Sequence, residues 1–155
     1  MEPQEFFNTF IIKQSKKLIE NESYIAAIIV LTIGVEVMGG FFDKKPLKSP
    51  KQSKARFKTA IEKLFGGKYA ALNRDDSIYE LLRNQLIHSL TTGGKLHLSI
   101  EKPHLSEYNR TIIFNPKTFF EDVNKAYIKL SEMLVLNKAF SKRIPDTSIE
   151  LAHFI

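Results

Sequence analysis

Cysteine is absent from this chain of 155 residues. That excludes disulfides, thiolate nucleophiles and thiolate metal sites, and it fits a reducing, cytoplasmic setting. Long apolar runs are also scarce. The one candidate, Tyr24 to Phe42, is interrupted by Glu36 and carries Gly34, Gly39 and Gly40. Its clean part, Tyr24 to Val35, is about 12 residues, against the roughly 20 a spanning helix needs. A buried core helix is therefore expected, and no membrane segment. The start, Met1-Glu2-Pro3-Gln4-Glu5, is acidic and has no basic n-region, so no signal peptide is expected. A Gly-rich phosphate loop and a serine nucleophile elbow are missing too. Gly39-Gly40, Gly66-Gly67 and Gly93-Gly94 read instead as helix stops. His97, His104 and His153 have no companions at ligand spacing, so neither a metal site nor a cofactor is expected.

What the chain does have is apolar residues at 43%, with 12 Phe, enough for one domain spanning 1–155 with a sizeable core. Its net charge of +6 is unevenly spread. Lys44, Lys45, Lys48, Lys51, Lys54, Arg56 and Lys58 follow one another with no acid between Lys44 and Lys58, and the rest of the chain sums to −1. Such a local patch attracts polyanions, nucleic acid above all, although a solvated loop that keeps the protein soluble has the same composition.

Periodicity predicts five helices and one β-hairpin. The first helix spans about Gln4 to Glu20, with Phe6, Phe7, Phe10, Ile11 and Leu18 on one face. The second, about Ser23 to Met38, is apolar almost all round and should be central. A loop with Pro46 and Pro50 leads to the third, Ser53 to Phe65; Lys68 to Arg74 reads as a connector. The fourth opens at Ser77-Ile78-Tyr79-Glu80, a capping-box pattern, and ends before Gly93. Lys95 to Glu101 alternates in polarity and Thr111 to Phe114 is β-rich, so the two read as a hairpin inserted over about 95–115. Asn115-Pro116 opens the fifth helix, to about Leu136. Residues 137–155 read as a C-terminal arm or short final helix.

The fourth helix carries Arg83-Asn84-Gln85-Leu86-Ile87-His88. Arginine, amide and imidazole are costly to bury without partners. At about 100° per residue, Asn84 and His88 share a face with Glu80, while Arg83 and His88 stand about 140° apart. One helix does not easily bring both groups onto one target. Two copies across a twofold axis do. Glu36, an acid in an apolar helix, needs a partner or an exposed position; Arg83 is one candidate partner. Tyr79, one turn before Arg83, reads as core.

Arg, a polar residue, three variable residues and His on a helix resembles the signature of the HEPN superfamily, all-α domains that include many metal-independent ribonucleases. The resemblance extends over Ile78 to Ser89, and the apolar second and basic third helices fit it. The inserted hairpin departs from the minimal helical core. The resemblance implies an all-α HEPN-like bundle and a composite Arg/His site at a dimer interface. It also implies RNA cleavage leaving a 2′,3′-cyclic phosphate, with Arg83, Asn84 and His88 catalytic. The residue types suit that chemistry. An imidazole serves as base or acid near neutral pH, and a guanidinium holds phosphate oxygens bidentately. Glu36, Tyr79 and Glu80 would support the site, and the Lys44–Lys58 patch would hold RNA backbone.

The first functional reading is thus a homodimeric endoribonuclease of toxin or defence type, with RNA and an antitoxin-like protein as partners. The second is a non-catalytic dimerisation module that binds RNA or a protein through the same helix. The third is a DNA-binding regulator using the basic patch.

Overall fold

The computed structural model describes residues 2–136. The expected C-terminal arm, 137–155, lies outside them. The described part is mainly helical, with six helices and a small three-stranded sheet.

Helix α1 covers residues 3–20: an α-turn at Pro3–Phe6, a π segment at Phe7–Ile12 and an α segment at Lys13–Glu20. Helix α2, Tyr24–Gly40, is the hub and packs against α1 and the three longer helices that follow. Helix α3 covers 53–65, as Ser53–Ala60 and a π segment at Ile61–Phe65. Helix α4 is Gly67–Leu72. Helix α5 covers 77–89, as Ser77–Tyr79, a π segment at Glu80–Leu86 and a last turn at Ile87–Ser89. Helix α6 is Pro116–Leu136. No helix among the described residues is long and apolar enough to cross a membrane.

Three sequence expectations are corrected. The pair Gly39-Gly40 does not stop α2, which runs through both. A Cβ on Gly39 would overlap the backbone carbonyl of Arg56, so this glycine lets α2 and α3 touch backbone to backbone. The connector after Gly67 is itself a helix, α4. The capping box at Ser77 does not form. Asp76 is the N-cap, in left-handed conformation and without a side-chain cap bond. The Tyr79 N–H is satisfied instead by buried Asn73, whose Oδ1 accepts it at 3.1 Å. That bond leaves the Glu80 carboxylate free for other partners.

The expected hairpin is corrected as well. Strand β1, Leu96–Leu98, pairs parallel with β3, Thr111–Phe114, in the register Leu96↔Ile112 and Leu98↔Phe114. Between them in sequence, β2, Glu107–Tyr108, pairs antiparallel with the far side of β3, giving the order β1-β3-β2. The tight turn is Asn109-Arg110, both at positive φ, as a two-residue hairpin loop requires. The crossover over 99–110 is long enough for a parallel pair. The sheet delivers the chain to α6, where Asn115 Oδ1 accepts the N–H groups of Lys117 and Thr118 and Pro116 takes the first turn, as the sequence predicts.

Candidate functional site

Helices α2, α3 and α5 meet around one charged cluster. Glu36 extends from the otherwise apolar α2, and both of its oxygens are engaged. Oε2 accepts from Arg83 Nε at 2.9 Å and Oε1 accepts from Ser53 Oγ at 2.7 Å. The Arg83 and Glu36 side chains are 25% and 21% exposed, so the pair lies at the edge of the core rather than in it. Of the two readings of Glu36, the pairing with Arg83 is the one the fold realises. Among the described residues the carboxylate engages only Nε, and the two terminal nitrogens of Arg83 have no hydrogen-bond partner there.

Beside this pair, Asn84 Nδ2 donates to Glu80 Oε2 at 2.6 Å, and Lys54 Nζ approaches Glu80 Oε1 at 3.1 Å and Asp76 Oδ2 at 3.8 Å. The bonds from Asn84 and then Lys54 hold the Glu80 carboxyl below the ordinary carboxylate range, and the same Glu80 contact raises the Lys54 ammonium. Tyr79 lies beneath, its ring edge-on to Phe57 at 5.5 Å and Lys54 Nζ 5.8 Å from its centroid. Burial pushes the Tyr79 hydroxyl up, against the pull of the Arg83 guanidinium.

His88 stands apart from this network, exposed on the last turn of α5. The π segment matters to its relation with Arg83. Bonding from i to i+5 winds the chain more loosely than the α pattern, so the angle between the two is smaller than the about 140° of an unbroken α-helix. Such segments occur frequently at functional sites.

The basic run divides. Lys44, Lys48, Lys51 and Lys58 are exposed. Lys45 is exposed too, and its Nζ donates to Gln52 Oε1 at 2.9 Å. Lys54 turns toward Glu80. Arg56, predicted to hold RNA, is 6% exposed and serves the fold instead. Its guanidinium meets Asp43 at 2.7 Å and donates to the backbone carbonyls of Lys45, Pro46 and Leu47, which pins the loop between α2 and α3. The signal was Asp43, the acid just before the run; an Arg with a nearby acid and a Pro-containing loop is a candidate loop anchor.

Two other features escaped the sequence reading. Tyr69, His104 and Asp122 form a half-buried chain of hydrogen bonds, 2.7 Å from Tyr69 Oη to His104 Nε2 and 2.9 Å from Tyr69 Oη to Asp122 Oδ2. An apolar groove also opens beside the end of α5. Their residues are far apart in sequence and carry no motif. Among the described residues no group of three or more His, Asp or Glu side chains is placed to hold a metal ion.

The chain matches no family model, and no curated protein and no solved structure resembles it.

Proposed function

We propose that this chain is a HEPN-type domain that cleaves RNA without a metal ion, using Arg83 and His88 from two copies of α5 packed across a twofold axis. The observation that carries the reading is the posture of Arg83. Glu36 fixes the guanidinium through Nε alone, so the terminal amino groups remain for two oxygens of a phosphate. In the reaction, His88 takes the proton of a ribose 2′-hydroxyl. The 2′-oxygen bonds to phosphorus, the bond from phosphorus to the 5′-oxygen breaks, and that oxygen takes a proton from an imidazole. Arg83 stabilises the charge on the phosphorane. Asn84, held by Glu80 about one turn before His88, would orient the imidazole or donate to the phosphate once RNA is bound. The products are a 2′,3′-cyclic phosphate and a 5′-hydroxyl end.

A second reading has its own support. The Arg83–Glu36 pair closes within a single chain, and Glu36, Asp76 and Glu80 outnumber the bases Lys54 and Arg83 around it. The closure of that pair within one chain suits a non-catalytic module whose α5 docks RNA or a protein, and the excess of acid favours a protein.

Incubating labelled single-stranded RNA with the parent protein, His88→Ala and Arg83→Ala separates the two. The first reading expects cleavage by the parent that survives chelator and falls by about 10² or more in each variant. Activity lost with chelator, or retained in His88→Ala, rejects it; a parent that binds RNA and leaves it intact supports the second.

A further inference from the structure

The groove beside α5 has no part in the proposal above, and the argument for it stands whether or not α5 cleaves RNA. It measures about 810 Å³ and lies between the start of α2, the end of α5 and the stretch that follows β1. Its walls are apolar. Three of the large apolar side chains that the fold leaves exposed converge on it: Ile25 at 45%, Leu90 at 68% and Ile100 at 45%. Single exposed apolar residues are ordinary, but a convergent set on a concave surface marks a place of docking.

Two further observations bear on the same place. Leu90 holds a left-handed backbone, φ 52°, which costs energy for a residue with a Cβ and a branched side chain. This turn ends α5 with a leucine at the lip of the groove. At its wall, the Tyr24 hydroxyl is buried and has no hydrogen-bond partner among the described residues. The rim supplies a sign. Among the described residues, Glu22 and Glu101 line the groove and no Lys or Arg does, in a chain that carries +6 overall.

We propose that this groove is a docking site for a protein segment that presents an apolar face flanked by Lys or Arg. The apolar side chains would seat on Ile25, Leu90 and Ile100, and the flanking cations would meet Glu22 and Glu101. Nucleic acid and an anionic lipid surface are disfavoured by the two acids. The basic segment of a second copy does not qualify either, because its large apolar residues are spent in the fold: Phe57 lies in the core and Leu47 packs against it.

The test is a selection from a random-peptide display library on the full-length chain, with counter-selection on Leu90→Asp, followed by fluorescence anisotropy of the selected peptides. Expected are peptides with large apolar residues between Lys or Arg. Their Kd should rise about tenfold or more in Leu90→Asp and in Ile100→Asp, since burial of an apolar anchor carries such binding. It should rise a few-fold in the Glu22→Gln, Glu101→Gln double variant. Both Asp positions are exposed, and circular dichroism and a melting curve verify that each variant keeps its fold. Any of three results overturns the proposal: no peptide that survives counter-selection, selected peptides that are predominantly acidic, or affinities that neither Asp substitution changes.

Discussion

The phenol of Tyr69 stands 2.7 Å from Nε2 of His104, and the direction of that bond is set by what surrounds it. Nδ1 of the imidazole accepts the backbone N–H of Asn115 at 2.9 Å. The ring proton therefore sits on Nε2 and is donated to the phenol oxygen, whose own proton goes to Asp122. His104 is thus neutral in the fold, edge-on to Phe114 at 4.7 Å. Burial lowers its pKa to about 4, outweighing the opposite pull of Asp122, with Lys68 also lowering it. Burial, with help from Asp122, raises the Tyr69 hydroxyl, which stays protonated.

A pH dependence follows. In the unfolded chain a histidine titrates near 6.5, and in the fold His104 titrates near 4. Between those values the unfolded chain holds more protons, so stability rises with pH across the window. It is fully present above about pH 6.5, falls as pH drops, and loses nothing further from this group below about 4. The full shift corresponds to about 3.4 kcal/mol, and the partial exposure of the ring screens this to on the order of 2 kcal/mol. Urea denaturation at pH 7 and pH 4.5 checks it. His104→Asn should start less stable and lose less between the two pH values than the parent, while a His97→Asn control at an exposed position should lose as much as the parent.

Arg56 and the exposed lysines of the same run should separate cleanly on substitution. Arg56→Ala takes the guanidinium from Asp43 and the donor from the Leu47 carbonyl, and leaves the Pro46 carbonyl with the Ser49 N–H alone. We expect a loss of about 2–4 kcal/mol, with Arg56→Lys intermediate, because an ammonium lacks the guanidinium fork. Replacing Lys44, Lys48, Lys51 and Lys58 together by Ala should leave the melting temperature within a few degrees of the parent. If this face holds RNA, the same variant should weaken binding to all sequences and flatten its salt dependence. An unchanged affinity at every salt concentration assigns those lysines to solubility alone.

The contrast between Arg56 and its neighbours shows what the sequence reveals and what it hides. Helical periodicity located α1, α2, α3, α5 and α6 to within a few residues, because each buries a stripe at a fixed angular spacing. It also flagged Glu36, since an acid in an apolar helix demands a partner. Alternation in Lys95 to Glu101 identified β1 and the burial of Leu96, but the strand stops at Leu98, and Ile100, which the alternation sets on the same face, is exposed. Strand direction was hidden, because a period of two is the same for parallel and antiparallel neighbours. The Ser77 cap failed because Asn73 reached the same helix end through a turn that no local pattern announces. Charge alone could not tell Arg56 from Lys48; the guanidinium fork and the acceptors that the fold places around it set Arg56 apart.

Gly39 offers a sharper test of the α2–α3 contact. Gly39→Ala would set a methyl against the Arg56 carbonyl, a backbone atom that cannot swing aside. The helices would have to part, which loosens Arg56 and with it the 43–47 loop. The expected cost is about 2–4 kcal/mol, the upper range of overpacking. Gly66→Ala, by contrast, meets no neighbouring atom and its cost is backbone alone: φ 63° with ψ −162° is a region nearly restricted to glycine, worth about 1–3 kcal/mol. Chemical denaturation of Gly39→Ala against the parent checks the contact. A Gly39→Ala protein as stable as the parent would show that the two helix backbones are not in contact.

The last prediction concerns Glu36, which in the proposed reaction positions Arg83 without touching RNA. Glu36→Ala removes the acceptor that orients the guanidinium and also frees the Ser53 hydroxyl. The pair is about three-quarters buried, so a stability loss of about 1–2 kcal/mol is expected. The rate effect should be larger than that suggests. A misdirected Arg83 loses transition-state contacts more than ground-state ones, so single-turnover cleavage should slow by about 10- to 100-fold with a smaller change in RNA affinity. Glu36→Gln keeps an acceptor for Nε and should recover most of that loss. A role confined to stability predicts the opposite pattern, with both variants melting earlier and cleaving at the parental rate below their melting temperatures. A cleavage rate that tracks the geometry at Nε, and not the melting temperature, is the result the positioning role requires.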